Sequence, residues 1–152
     1  MKYWLFKSEP DEFSIDDLQA SGTTAWEGVR NYQARNFMRD ECKKGDLVLF
    51  YHSSCKEIGV AGVAAVSKES FPDSSQFNED SPYFDKKSSK NKPRWFCCEV
   101  KFEKKFKKVV PLKEIKENKK LKDMYLVQKG SRLSVQPVKE DEFKEVLEMS
   151  RT

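Results

Sequence analysis

The chain begins with an apolar stretch in which Tyr3, Leu5 and Phe6 follow Lys2. It ends at Glu9-Pro10-Asp11, where proline cannot continue a central ladder, so the stretch reads as an opening strand. Ser14 followed by Asp17 forms a capping box with Asp in place of Glu; Ile15 and Leu18 give an apolar face and Ser21-Gly22 a stop. This predicts a short helix, with Phe13 placed to staple it. Tyr32, Ala34, Phe37 and Met38 fall near helical spacing and predict a second amphipathic helix over 32–41, before the turn Lys43-Lys44-Gly45-Asp46.

Leu47-Val48-Leu49-Phe50-Tyr51 is apolar throughout, as in a strand covered on both faces, and 58–66 is a second such run broken by Gly59 and Gly62. Together they predict a tightly curved hairpin. Residues 70–93 carry Pro72, Pro82 and Pro93 and form a long connection with a helical turn near Ser74 to Phe77. Such loops are usually functional or mobile. Trp95, Cys97, Glu99 and Lys101 alternate with Phe96, Cys98, Val100 and Phe102, a strand that extends through a bend to Val109-Val110. Short helices follow over 112–117 and 121–125, then a strand over 133–138. A final helix covers 140–149, with Phe143, Val146 and Leu147 on one face. Short strands with helices between them and no β-α-β rhythm define an α+β class: a small curved mixed β-barrel flanked by short helices, in one domain over 1–152.

Composition sharpens the picture without redirecting it. Charged residues make up 36% of the chain, but aromatics reach 12%, enough apolar area to argue against disorder. No apolar run approaches the roughly 18 residues of a membrane span, and the N-terminus lacks a signal peptide's apolar stretch. A protein that is neither exported nor in a membrane is the expectation. Cys42, Cys55, Cys97 and Cys98 include no C-x-x-C pair and read as reduced thiols. With His52 the only histidine, neither a metal site nor a cofactor is signalled.

The net charge of +4 conceals an asymmetry. Residues 1–76 hold 9 basic and 12 acidic side chains, whereas residues 77–152 hold 20 and 13. The stretch from Lys86 to Arg132 is the most basic, with Lys104-Lys105 and Lys107-Lys108 around Phe106. Such a stretch can hold phosphates by counterion release, and it serves equally as a solvated face.

The densest chemistry lies in Trp26-Glu27-Gly28-Val29-Arg30-Asn31-Tyr32-Gln33-Ala34-Arg35-Asn36. Amides and guanidinium forks match base edges and phosphates, aromatic faces match base planes, and Gly28 permits close backbone approach, so these residue types suit a nucleobase pocket. The alternative is a helix start capped by Asn31, with surface ion pairs and Trp26 as a core anchor. Tyr51-His52-Ser53-Ser54 ends the most apolar strand and is aimed toward a barrel mouth. Adjacent strand residues diverge, so His52 and Ser53 are better read as hydrogen-bonding groups than as base and nucleophile. Lys7-Ser8-Glu9 and Arg132-Leu133-Ser134-Val135-Gln136-Pro137 likewise place polar groups at strand ends.

These motifs, with Phe50-Tyr51-His52-Ser53, Gly59-x-Ala61-Gly62 and Pro93-x-Trp95, closely resemble the EVE-domain family, in order and nearly end to end. The resemblance implies a PUA-like fold related to ASCH and YTH domains, recognition of modified bases such as 5-methylcytosine and 5-hydroxymethylcytosine, and no catalysis by the stand-alone domain. It implies a base pocket of Ser8, Trp26, Val29, Arg30, Asn31, Tyr32, Asn36, Tyr51, His52, Ser53, Leu133 and Ser134; Arg30, Arg35, Arg132, Lys104 and Lys105 are then the cations expected on phosphates, although the Lys-rich region from Lys104 departs from the family's pattern. The partner would be DNA or RNA carrying a modified base, flipped onto Trp26 and read by Ser8, Asn31 and Ser53. Without a long N-terminal extension the chain looks like the short bacterial-type form, a cytoplasmic monomer, or nuclear if eukaryotic. The competing classes are an enzyme acting on modified nucleosides, with Glu9 or His52 as base, and a protein-interaction module.

Overall fold

A computed structural model describes residues 1–130 and 132–151. Six strands form one mixed sheet: β1 Tyr3–Ser8, β2 Thr23–Ala25, β3 Leu47–His52, β4 Gly59–Pro72, β5 Phe96–Pro111 and β6 Val135–Val138. Their order across the sheet is β2-β5-β4-β3-β1-β6, and only β1 and β3 run parallel. The α+β class stands as expected, and the expected curved barrel is an open curved sheet, with β2 and β6 as its two unpaired edges among the described residues. The three-residue β2 carries no sequence signal of its own. It is held by the register of Thr23, Thr24 and Ala25 opposite Lys101, Val100 and Glu99.

Both faces of the sheet are covered, which is why its central strands read as continuous apolar runs. On one face Trp4, Phe6, Val48, Phe50, Ala64 and Val100 pack against Ile15, Leu18, Ala34 and Met38. These come from α1 Ile15–Ser21 and from α2 Tyr32–Asn36, which runs into a wider π turn at Phe37–Glu41. On the other face Leu5, Leu49, Tyr51, Val60 and Val63 pack against Ile115, Leu121, Met124, Phe143 and Val146. Of these, Ile115 belongs to α3 Leu112–Glu117, and Phe143 and Val146 to α4 Glu140–Met149. The alternation of Trp4 and Phe6 against Leu5 assigns each strand residue to its face.

Curvature sits where the glycines and bulges predict it, with register shifts between Phe50 and Tyr51 and between Val60 and Gly62. At Gly62 a Cβ would lie 2.3 Å from the Lys104 carbonyl oxygen and 3.0 Å from Ile15. Glycine there lets α1 press onto the sheet. Ser14 caps α1 as expected: its hydroxyl accepts from the Asp17 N–H, and the Asp17 carboxylate accepts from the Ser14 N–H. The short helix expected over 121–125 is not formed; 3-10 turns at Lys119–Leu121 and Tyr125–Val127 stand on either side of that stretch. The four cysteines are free, and Cys42, Cys97 and Cys98 are buried. Among the described residues no helix is long and apolar enough to cross a membrane.

Candidate functional site

The parallel pairing of β1 with β3 brings the C-terminal ends of both strands to one end of the sheet, Ser8 opposite His52. The Ser53 N–H then donates to the Ser8 carbonyl at 2.9 Å, and the Lys7 N–H donates to the Ser134 carbonyl just before β6 at 2.8 Å. Three serines from distant parts of the chain are thereby gathered. From the far edge, the Trp26 N–H donates to the Cys98 carbonyl at 2.8 Å as β2 turns back over the sheet. Together these segments bound an open cleft of about 650 Å³ lined by Ser8, Trp26, Val29, Arg30, Ser53, Arg132 and Ser134. Lys7, Glu9, Glu12, Phe13, Glu27, Gly28 and Tyr83 complete its wall.

Trp26 is the floor of this cleft more than a free platform. Its indole packs on Phe6 at 5.3 Å and edge-on to Phe50 at 5.4 Å, and only 7% of the residue is exposed. Arg30, expected on a phosphate, is instead an internal strut. Its guanidinium donates to Asp73 at 3.1 Å, to the Ser75 hydroxyl at 3.1 Å and to the Tyr83 carbonyl at 2.7 Å. Asp73, fully buried, also accepts from the Gly28 N–H at 2.8 Å. This fastens the 73–95 loop to the cleft wall, so Tyr83 lies across Gly28, where a Cβ would meet its ring at 2.8 Å and φ is +89°. Gln76 closes the loop at its base, donating to the Asp73 and Trp95 carbonyls and accepting from the Arg94 and Trp95 N–H groups.

The remaining expected site residues stand elsewhere. Asn31 caps α2, accepting from Gln33 and Ala34 N–H groups at 2.9 and 3.0 Å, the capping alternative read from the sequence. Tyr32, Asn36 and Arg35 form a separate cluster with Trp95 outside the cleft. Tyr51 points to the opposite face of the sheet, where burial and then Cys55 push its hydroxyl up to about 12. Leu133 is a core residue. Lys104 and Lys105 sit along β5 opposite Val63 and Gly62, and Lys105 pairs with Asp16 at 2.7 Å.

His52 Nε2 accepts the Ile15 N–H at 3.1 Å, so it closes the first turn of α1 and forms no base–nucleophile pair with Ser53. Partial burial holds its imidazole below its ordinary 6.5. Among the described residues no three His, Cys, Asp or Glu side chains are grouped to hold a metal. Tyr83, Glu12 and Phe13 are lining residues that the sequence did not announce. For Tyr83 the available signals were the length of its loop and a glycine at 28, where the ring's close approach leaves no room for a Cβ.

The cleft's charges are mixed. Arg132 is exposed with no ion pair among the described residues, while Glu9 and Glu12 leave two carboxylates without side-chain hydrogen bonds beside the hydroxyls of Ser53 and Ser134. An aromatic floor edged by acceptors and hydroxyls, with cations at its margin, suits a flat, partly polar ring better than a bare phosphate. Fold and cleft define an α+β module with an open, aromatic-floored cleft at one end of its curved sheet. The chain belongs to the EVE-domain family, whose model matches residues 2–149. It is 43% identical to chicken thymocyte nuclear protein 1 over 97% of this chain and 68% of that protein. A Pseudomonas syringae crystal structure is 47% identical, with a TM-score of 0.94 over 97% of this chain and 99% of that one. The structure of human THYN1 in complex with 5-methylcytosine-containing DNA is 40% identical, with a TM-score of 0.93 over 100% and 99% of the two chains.

Proposed function

We propose that this protein is a binding module that reads a modified pyrimidine of the 5-methylcytosine or 5-hydroxymethylcytosine type in DNA or RNA, taking the flipped base into the cleft above Trp26. The likeness to the human protein in complex with 5-methylcytosine-containing DNA, at a TM-score of 0.93, carries the reading. The chemistry of the cleft supports it. A carboxylate is the acceptor that suits the exocyclic amino group of cytosine, and Glu9 and Glu12 both line the wall. Ser53 and Ser134 would supply hydroxyls for the remaining edge, Ser8 would act there as an acceptor because its hydroxyl donates to the Phe13 carbonyl at 2.6 Å, and Arg132 would meet a flanking phosphate. The His52 nitrogen is engaged with the α1 backbone, so the geometry gives no support to a nucleoside hydrolase using that residue as base.

Burying one methyl is worth only about 0.8 kcal/mol, roughly a fourfold preference, so larger discrimination requires the cleft to fit the mark's shape. The test is an anisotropy titration of labelled oligonucleotides, identical except for cytosine, 5-methylcytosine or 5-hydroxymethylcytosine at one position. Tighter binding of one modified probe, by about fourfold or more and maintained as salt is raised, is the expected result. Equal affinity for all three, erased by salt, would reduce the protein to a basic surface and overturn the proposal.

A further inference from the structure

Outside the cleft, α2 presents a second aromatic feature. Tyr32 is 48% exposed and lies nearly parallel to Trp95, with ring centroids 4.7 Å apart and planes at 16°. Trp95 itself is buried and anchored by its indole N–H, which donates to Asp85 at 2.8 Å. One face of the tyrosine is therefore backed by a fixed ring. The Arg35 guanidinium lies 4.6 Å from the Tyr32 centroid and 5.9 Å from that of Trp95. Because 5.9 Å is well short of the sum of 4.6 and 4.7 Å, Arg35 stands beside the line through the two rings, and with Tyr32 48% exposed part of its outer face is left to solvent.

Arg35 is also pre-aimed. Its Nη1 donates to the Arg94 carbonyl at 2.8 Å, and its Nε and Nη2 donate to Asn36 Oδ1 at 3.1 and 2.7 Å. A guanidinium has five N–H donors, so two remain for a further acceptor, and Arg35 has no ion pair among the described residues. Burial and then Arg39 weaken its hold on its proton, Tyr32 and Asp40 oppose this, and Arg39 and Arg94 are themselves paired with Asp40 and Asp85. The stack is coupled to the cleft through Trp95. Arg30 lies 5.1 Å from that ring and 5.6 Å from Tyr83, and both Arg30 and Tyr83 line the cleft wall.

We propose that the outer face of Tyr32 is a second base-stacking platform, taking the nucleotide next to the one held in the cleft, with Arg35 on the phosphate between them. This rests on the cleft reading for its register but not for its chemistry. A backed aromatic face beside an oriented guanidinium fits any base, because every base has a π-face. The platform would supply affinity, and the cleft selectivity.

The experiment uses the full chain and two labelled DNA duplexes differing only in one cytosine or 5-methylcytosine. Stacking on one base predicts that Tyr32→Ala and Tyr32→Leu weaken both probes about 5- to 100-fold. The ratio between probes should stay unchanged, and Tyr32→Phe should remain within about twofold of wild type. Variants whose thermal midpoints match wild type but bind both probes within about twofold of it would overturn the platform and leave the cleft reading intact. The platform is equally overturned if Leu restores binding, since apolar cover of Trp95 would then suffice, or if Phe fails as badly as Ala. A wild-type ratio of one with the Tyr32 losses present would instead overturn the cleft reading and keep the platform. Absence of wild-type binding to either duplex and to RNA of the same sequence with the same modification would overturn both.

Discussion

Arg30 shows how residue type and residue role separate. An arginine between a glycine turn and a helix start, among amides and aromatics, has the composition of a phosphate contact. The fold spends it on Asp73, Ser75 and Tyr83 inside the protein. The distinguishing partner lies 43 residues away in a loop whose path local pattern does not encode. The consequence is measurable, because removing Asp73 strands a largely buried guanidinium and leaves the Gly28 N–H without its acceptor. Asp73→Ala should lower stability by about 3 kcal/mol in a urea denaturation series. Arg132→Ala, at an exposed cation on the cleft margin, should change stability by less than about 0.5 kcal/mol. Equal losses from the two would contradict the assignment of one as strut and the other as free. Asn31 follows the same logic: its type permits both base recognition and capping, and the α2 backbone takes it.

At the scale of elements, the junction between β3 and α1 makes a pH-dependent prediction. His52 must be neutral at Nε2 to accept the Ile15 N–H, and protonation turns that acceptor into a donor facing a donor. Asp16 raises its proton affinity and Lys105 lowers it, but burial dominates and the folded value lies below the ordinary 6.5. As pH falls below 6.5 the unfolded chain takes up the proton first. The contribution is therefore complete above 6.5 and lost as pH falls toward the folded value. Thermal midpoints should drop as pH falls below 6.5 in wild type and drop less in His52→Gln, whose amide oxygen can still accept. Identical slopes in the two proteins would show that His52 does not cap the helix.

Much of this level was legible in the chain. The capping box of α1, the two apolar strands, the bends at the glycines and the terminal helix all follow from local pattern. Two features did not. The edge strand β2 is only Thr23, Thr24 and Ala25 and exists through its pairing with β5. The order of the 73–95 loop depends on the buried Gln76 and Asp73, polar residues whose burial makes sense only once their backbone partners are in place. For the same reason the cleft was only partly visible: strand-end serines announce themselves, whereas Tyr83 arrives from a loop. Tyr51 and His52 were the reverse case. The bulge at Phe50/Tyr51 and the alternation of the strand send one to the far core and the other to α1, and only Ser53 reaches the opening.

Across the whole molecule, the basic excess of the second half is divided among the 73–95 loop, β5 and the segments from α3 to α4, and part of it is paired. There Lys101 pairs with Glu103, Lys105 with Asp16 and Lys120 with Glu145. A nucleic acid attracted by that charge is not thereby delivered to the cleft, which lies where β1, β3 and β6 meet at one end of the sheet. The proposed recognition would take place at that end, with a base leaving its helix. A crystal structure of the full chain with a short duplex carrying one 5-methylcytosine decides the matter. Base capture in the cleft predicts the modified base rotated out of the duplex and lying over Trp26, with Ser8, Ser53 or Ser134 within hydrogen-bonding distance of its edge. An intact, fully stacked duplex lying along the lysines of β5, with the cleft unentered, would contradict it.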